Sequence, residues 1–129
     1  MTFPEKYSDL FKDETKAILF LATVNANGSP QLTPVWFSTD GEYILVNTNE
    51  GRLKDRNMKE RPGVAMVLQD PNDPYRYLGM RGRVVSHTTE GADNHIDRLS
   101  HIYYGKPWTY REGQKRIIFK IQPTHFDQH

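Results

Sequence analysis

The apolar residues of this chain come in short runs, each closed by a turn signal, and that punctuation limits the fold more than any single motif does. The run over residues 17–24 ends at Asn25-Ala26-Asn27-Gly28, where a hairpin is expected. Residues 31–37 answer as its partner strand. Pro34 marks that strand as an edge or a bulge, because proline has no N–H to give to a ladder. Asp40-Gly41 turns the chain into a third strand over 42–47, which predicts an antiparallel meander. Residues 64–68 give a fourth strand and 75–86 a fifth, weakened by Gly79 and Gly82, where bulges or close backbone contacts are expected. Asp70-Pro71-Asn72-Asp73-Pro74 between them reads as loop, and residues 115–122 form the last strand.

Three stretches carry helical spacing instead. Tyr7, Leu10 and Phe11 predict a short helix over 5–14, and a basic helix follows over 52–61, stopped by Arg61-Pro62-Gly63. Ile96, Leu99, Ile102 and Tyr103 predict a helix over 90–104, with Gly105 as its cap. The order is helix, three strands, helix, two strands, helix, strand. Six short antiparallel strands in so small a chain predict a mainly β fold, a barrel with flanking helices. With 129 residues, one domain over 1–129 is expected. No apolar run approaches the roughly 18 residues of a membrane helix, so no membrane partner is expected. The N-terminus lacks the basic start and apolar core of a signal peptide, and the chain has no cysteine, which makes the cytoplasm the expected location.

Charge is concentrated in one place. Between Arg52 and Arg61 stand Arg52, Lys54, Arg56, Lys59 and Arg61 against Asp55 and Glu60, a local excess of three on a chain whose net charge is +1. The strand-like residues 43–46 feed this segment through Asn47, Thr48, Asn49 and Gly51. A strand end leading into a helix N-terminus is a natural anion seat, because first-turn N–H groups are unpaired and the helix dipole is positive there. The pattern points to one anionic ligand more than to a polyanion; the plainer account is a solvated helix face of mixed charge.

Three stretches of the chain resemble the split β-barrel flavin and deazaflavin oxidoreductases of the pyridoxamine-phosphate-oxidase-like superfamily, most of all its coenzyme F420-dependent branch. They are residues 20–37, residues 51–62, and residues 70–77 continuing to Arg81-Gly82-Arg83-Val84. The resemblance spans about residues 14 to 126. It implies a six-stranded antiparallel split β-barrel, a homodimer with the cofactor at its interface, and hydride transfer from reduced 5-deazaflavin to a small organic acceptor. Carried over residue by residue, it implies that Arg52 and Lys54 hold the cofactor phosphate and that Asn47 and Thr48 line its approach. Thr33, Pro34 and Val35 would flank the ring, with Trp36 nearby and Asn57 among the binding residues. Arg76 and Tyr77 would act as second-strand or cross-subunit contacts. FMN in the same fold remains the alternative cofactor, and a non-catalytic flavin, deazaflavin or haem carrier the alternative function. Lys59, Arg61 or Lys106 would suit the anionic tail of F420.

No residue is singled out as catalytic. Tyr77, Tyr103, Tyr104 or water would supply any proton. The chain lacks the G-x-S-x-G elbow, the P-loop and G-x-G-x-x-G. His95 and His101 should point to different helix faces, and His125 and His129, though four apart, fall in an expected frayed C-terminus, so no metal site is expected. Nucleic acid is not an expected partner, because the basic residues sit on one turn and helix rather than along a sheet face with aromatics.

Overall fold

The computed structural model describes residues 2–128. After two short 3-10 helices, Glu5–Phe11 and Asp13–Thr15, come strands β1 (Ile18–Val24), β2 (Pro30–Val35), β3 (Phe37–Asp40) and β4 (Tyr43–Asn49). Helix α1 (Leu53–Glu60), strands β5 (Gly63–Asp70) and β6 (Asp73–Thr88), helix α2 (Ala92–Tyr104) and strand β7 (Arg116–Asp127) complete the chain. The strands form one antiparallel sheet of seven, in the order β2-β1-β5-β6-β7-β4-β3.

That order forces the sheet to curl. β2 and β3 are its two edges, and laid flat they would stand about 29 Å apart at the usual strand spacing. Yet only Trp36 separates them in the chain, a reach of about 7 Å between flanking Cα atoms. The sheet must therefore close on itself as a barrel split at Trp36. The fold is the expected mainly β split barrel with seven strands rather than six. The difference is the break at Trp36: residues 31–37 do not run as one strand, and the expected meander is two separate hairpins, β1–β2 and β3–β4. Pro34 lies on an edge strand as expected, since β2 has one neighbour only.

Two other expectations are corrected. Residues 70–74 are not an open loop. Asp70 pairs with Asp73, so Pro71 and Asn72 alone make a tight turn in a β5–β6 hairpin, closed by the Asp70 carboxylate accepting from the Asn72 N–H at 2.8 Å. The C-terminus does not fray at Pro123, because β7 continues to Asp127 against β6 and carries His125 opposite Arg81. His129 lies outside the described residues. Gly82 explains itself: a Cβ there would meet Ile121 at 2.9 Å and Met66 at 3.0 Å, and the β6–β7 register shifts beside it. Gly105 caps α2 in the left-handed conformation at φ 70°.

The inward faces of the strands supply the core, including Leu19, Leu21, Ile44, Val46, Leu68, Leu78, Phe119 and Ile121. Each such side chain stabilises the fold by roughly 1.5–3 kcal/mol relative to exposure. Helix α1 buries Met58 in the core and is fixed further by polar bonds. Asn57 is 1% exposed and donates to Thr23 Oγ1 at 3.0 Å and to Asn25 Oδ1 at 2.9 Å. Arg61 Nε donates to the Val24 carbonyl at 2.6 Å. These bonds anchor the helix to the β1–β2 hairpin and so fix where its N-terminus points.

Candidate functional site

A cavity of about 390 Å³ opens between the β2–β3 junction, the end of β4, the start of α1 and the helix α2. One wall is apolar and aromatic: Pro34, Val35 and Trp36 face Ile96, Leu99, Tyr104 and Trp108. The other is polar and cationic, with Asn47, Thr48, Arg52, Lys54 and Arg116. A volume of this size suits a small organic ligand, and such sites commonly pair apolar walls with a few placed polar groups.

The three cations lack carboxylate partners. Among the described residues, none of Arg52, Lys54 and Arg116 makes an ion pair. Lys54 Nζ donates to Thr33 Oγ1 at 2.9 Å. Burial pushes the Lys54 ammonium pKa down, and the positive charges of Arg52 and Arg116 push it further the same way. Arg116 is 7% exposed, and burial followed by repulsion from Arg52 lowers it too, against a smaller upward pull from Asp93. Arg116 is buried, Lys54 half-buried and Arg52 exposed; like charges gathered at one cavity wall repel one another, and an anion in the cavity would relieve that.

Arg116 is held by a chain of side chains. Its Nε donates to Asn47 Oδ1 at 2.8 Å, and its guanidinium lies 5.1 Å from the Trp108 ring centre. Asn47 Nδ2 donates to the Ala92 carbonyl at 2.9 Å and to His95 Nδ1 at 3.1 Å. An amide nitrogen only donates, so His95 Nδ1 accepts, its proton sits on Nε2, and Nε2–H donates to Ser38 Oγ at 2.9 Å. Burial, with Arg98 and Arg116 nearby, lowers the His95 pKa to about 4 and keeps the ring neutral.

The residues singled out from sequence divide into two groups. Pro34, Val35, Asn47, Thr48, Arg52 and Lys54 line one cavity, Trp36 joins them, and Thr33 holds Lys54 from the side. Asn57, Arg76 and Tyr77 do not line it. Asn57 is the anchor of α1, and Tyr77 pairs with Gln69 across β5–β6. Arg76 bonds Asp9, Asp70 and the Lys6 carbonyl. The basic segment also divides. Arg56 donates to the Gly51 carbonyl, Lys59 pairs with Asp55 at 3.1 Å, and Arg61 is taken by Val24, Asn57 and Glu60. Asp55 closes the turn itself by accepting from the Gly51 N–H at 2.8 Å. Lys106 lies over the Tyr104 ring, 5.9 Å from its centre.

Of the tyrosines considered as proton donors, Tyr103 stacks on Trp36 and donates to the Ala17 carbonyl at 2.8 Å; burial pushes its pKa up to about 12. Tyr104 lines the cavity and is 67% exposed. The residues missed from sequence are Ile18, Arg116, Trp108, Ile96 and Leu99. The last two show in the periodicity of α2, but Arg116 reaches the site only through the β4–β7 register, where it stands opposite Asn49 and diagonal to Asn47. No group of three metal-binding side chains occurs among the described residues, and no helix among them is long and apolar enough to cross a membrane.

A family model described as pyridoxamine 5'-phosphate oxidase matches residues 3–129. The chain belongs to that family. A solved structure described as an F420 reductase is 35% identical to it, covering 98% of this chain and 100% of its own, with a TM-score of 0.86. Two more distant structures share the fold alone. HupZ of Group A Streptococcus is 18% identical, with coverage of 97% and 92% and a TM-score of 0.68. HutZ, the haem storage protein from Vibrio cholerae, is 16% identical, with coverage of 97% and 92% and a TM-score of 0.64. No curated protein matches the chain.

Proposed function

We propose that this protein is an F420-dependent oxidoreductase that binds the deazaflavin in the cavity beside Arg52, Lys54 and Arg116 and delivers hydride to a small organic acceptor. The observation that carries the proposal is the set of three cations without carboxylate partners facing an aromatic wall. That arrangement fits one ligand with an anionic group at one end and a flat ring at the other. The relative described as an F420 reductase supports the choice of cofactor.

When bound, the deazaflavin would supply the hydride chemistry. The chain's own part is to bind and orient it. Arg52, Lys54 and Arg116 would take the phosphate through charge-assisted hydrogen bonds worth roughly 1.5–3 kcal/mol each. Pro34, Val35 and Trp36 would flank one edge of the ring. Tyr104, the exposed tyrosine of the cavity, would stand nearest an acceptor.

A homodimer completes this reading. In cross-strand register on the outer face of the sheet stand Leu32, Ala22 and Ala65, then Pro34, Phe20 and Val67. Leu32 is 66% exposed and Val67 37%. Pro34 belongs both to this apolar face and to the cavity, so a second copy seated there would wall the cavity's open side.

FMN in the same seat is the second reading, and one observation favours keeping it. Lys59 and Arg61, which would suit the longer anionic tail of F420, are held by internal partners. Fluorescence titration with F420 and FMN decides between them, and tighter FMN binding reverses the choice. Oxidation of the reduced cofactor across electron-poor alkenes, quinones and tetrapyrroles then tests turnover. Tight binding with no oxidation by any acceptor would make the protein a carrier.

A further inference from the structure

We infer that Arg116 is the third anchor of the anion seat, and that His95 is a positioning residue that holds it there through Asn47. The inference rests on reading the cavity as a phosphate seat. It adds a residue at the other end of the chain from the turn that carries Arg52 and Lys54.

The geometry is specific about direction. Asn47 is bonded at both ends, its Oδ1 by Arg116 Nε and its Nδ2 by the Ala92 carbonyl and His95 Nδ1, so its amide has one orientation. Reversing it would turn the amide N–H groups towards the Arg116 Nε–H and the amide oxygen towards the Ala92 carbonyl oxygen. The ring nitrogen that matters is therefore Nδ1, as an acceptor. Nε2–H faces Ser38, which is 1% exposed and on the side away from Arg116 in the chain of bonds. With Nε tied to Asn47, the Arg116 guanidinium lies against Trp108 and keeps its remaining N–H groups for the cavity. Among the described residues no carboxylate forms an ion pair with them, and Asp93 acts on Arg116 only as a weaker influence than burial and Arg52.

Two pairs of substitutions test this. Asparagine places its oxygen where His95 has Nδ1, and glutamine places its amide where His95 has Nε2. His95→Asn keeps the acceptor that orients Asn47, while His95→Gln keeps only the contact to Ser38. A merely structural histidine would suffer alike from both. Binding is read with matched probes that differ by the phosphate: FMN against riboflavin, and F420 against its phosphate-free chromophore. Arg116→Met should weaken the phosphate-bearing member about tenfold and leave the phosphate-free member unchanged. His95→Gln should follow Arg116→Met, and His95→Asn should stay near wild type.

Equal losses for His95→Asn and His95→Gln overturn the positioning role. A loss in Arg116→Met that is the same for both members of a pair overturns the anion contact. A wild-type protein with no preference for the phosphate-bearing member overturns the proposed function and this inference together, whereas a preference that Arg116→Met leaves intact overturns the inference alone. Should a variant not fold, nitrogen-15 spectra of the wild type decide. The expected result is an Nε2–H tautomer at His95 and an Arg116 Nε–H signal that moves with FMN and not with riboflavin; an Nδ1–H tautomer, or an unmoved signal, overturns it.

Discussion

Arg76 and Arg116 are both built into clusters of charge and aromatic rings, with opposite results. Arg76 is saturated: it meets Asp9 at 2.6 Å, Asp70 at 3.0 Å and the Lys6 carbonyl at 2.8 Å, and lies 5.4 Å from the Tyr7 ring centre. Those contacts raise its pKa, and the bond from Arg76 in turn lowers that of Asp9. Arg116 has an amide, a ring and two cations for neighbours and makes no ion pair; burial and Arg52 outweigh the opposing pull of Asp93, and its pKa falls. The first cluster is balanced by the chain itself and clamps the N-terminal 3-10 helix to the β5–β6 hairpin. The second is left positive, and its balance must come from outside. If that contrast is sound, removing cations should weaken binding at one cluster and stability at the other. The largest effect is expected for Lys54→Ala combined with Arg116→Met, a loss of about a hundredfold in affinity for the phosphate-bearing cofactor by titration. A double variant that binds as the wild type does would erase the distinction.

His95 sharpens the contrast through pH. Its folded pKa of about 4 lies below the ordinary histidine value of 6.5, so the neutral ring contributes stability that is full above about pH 6.5 and is lost as pH falls towards 4. The unfolded chain binds the extra proton over that window, and the sign follows. Arg98 and Arg116 face the ring with positive charge, and Ser38 and Asn47 hold its nitrogens. The contribution is up to roughly 3 kcal/mol. Urea unfolding of wild type and His95→Asn at pH 7.5 and 5 should show the wild type losing more between the two. Parallel losses would mean that the ring is protonated in the folded state. Arg76→Ala should cost about 1 kcal/mol, the upper end for exposed ion pairs, because one guanidinium serves three acceptors and a ring. It should leave cofactor affinity within twofold; a tenfold loss would instead place Arg76 at a cofactor site completed by a second subunit.

The same contrast explains what could be read from the sequence. Local signals were sufficient where local chemistry decides: the Asn25–Gly28 turn, Pro34 at an edge, Gly105 as a cap, and the turn that delivers Arg52 and Lys54 all stand where the residues put them. Trp36 carries no local sign of a break. The strand divides because its two halves pair with different partners, β1 and β4, at opposite edges of the sheet. Arg116 is silent for a similar reason, since only the register of β7 on β4 brings it beside Asn47. The basic run between Arg52 and Arg61 was the clearest signal and the least uniform one. A helix rotates successive charges to different surroundings, so two of its five cations line the cavity while three are spent on Gly51, Asp55, Glu50, Glu60 and the β1–β2 hairpin.

The smallest expected effect is the most direct test of an unbalanced seat. Lys54 is held below its usual pKa by burial first and by Arg52 and Arg116 second, so at neutral pH its charge opposes folding. Lys54→Met keeps the length of the side chain and removes the charge. It should raise stability by at most about 0.5 kcal/mol once solvent screening is counted, while lowering cofactor affinity at least tenfold. The sign of its pH dependence is fixed as well. A lysine with a depressed folded pKa releases its proton earlier in the folded state, so the wild type gains on the variant as pH rises from the folded value towards 10.5. Thermal unfolding of both proteins at pH 7 and pH 10, without cofactor, should show their difference shrinking. A Lys54→Met protein that is less stable than wild type at pH 7 would mean that the ammonium is compensated within the chain after all. The cavity would then be one more balanced cluster like that of Arg76, with no claim on an anion.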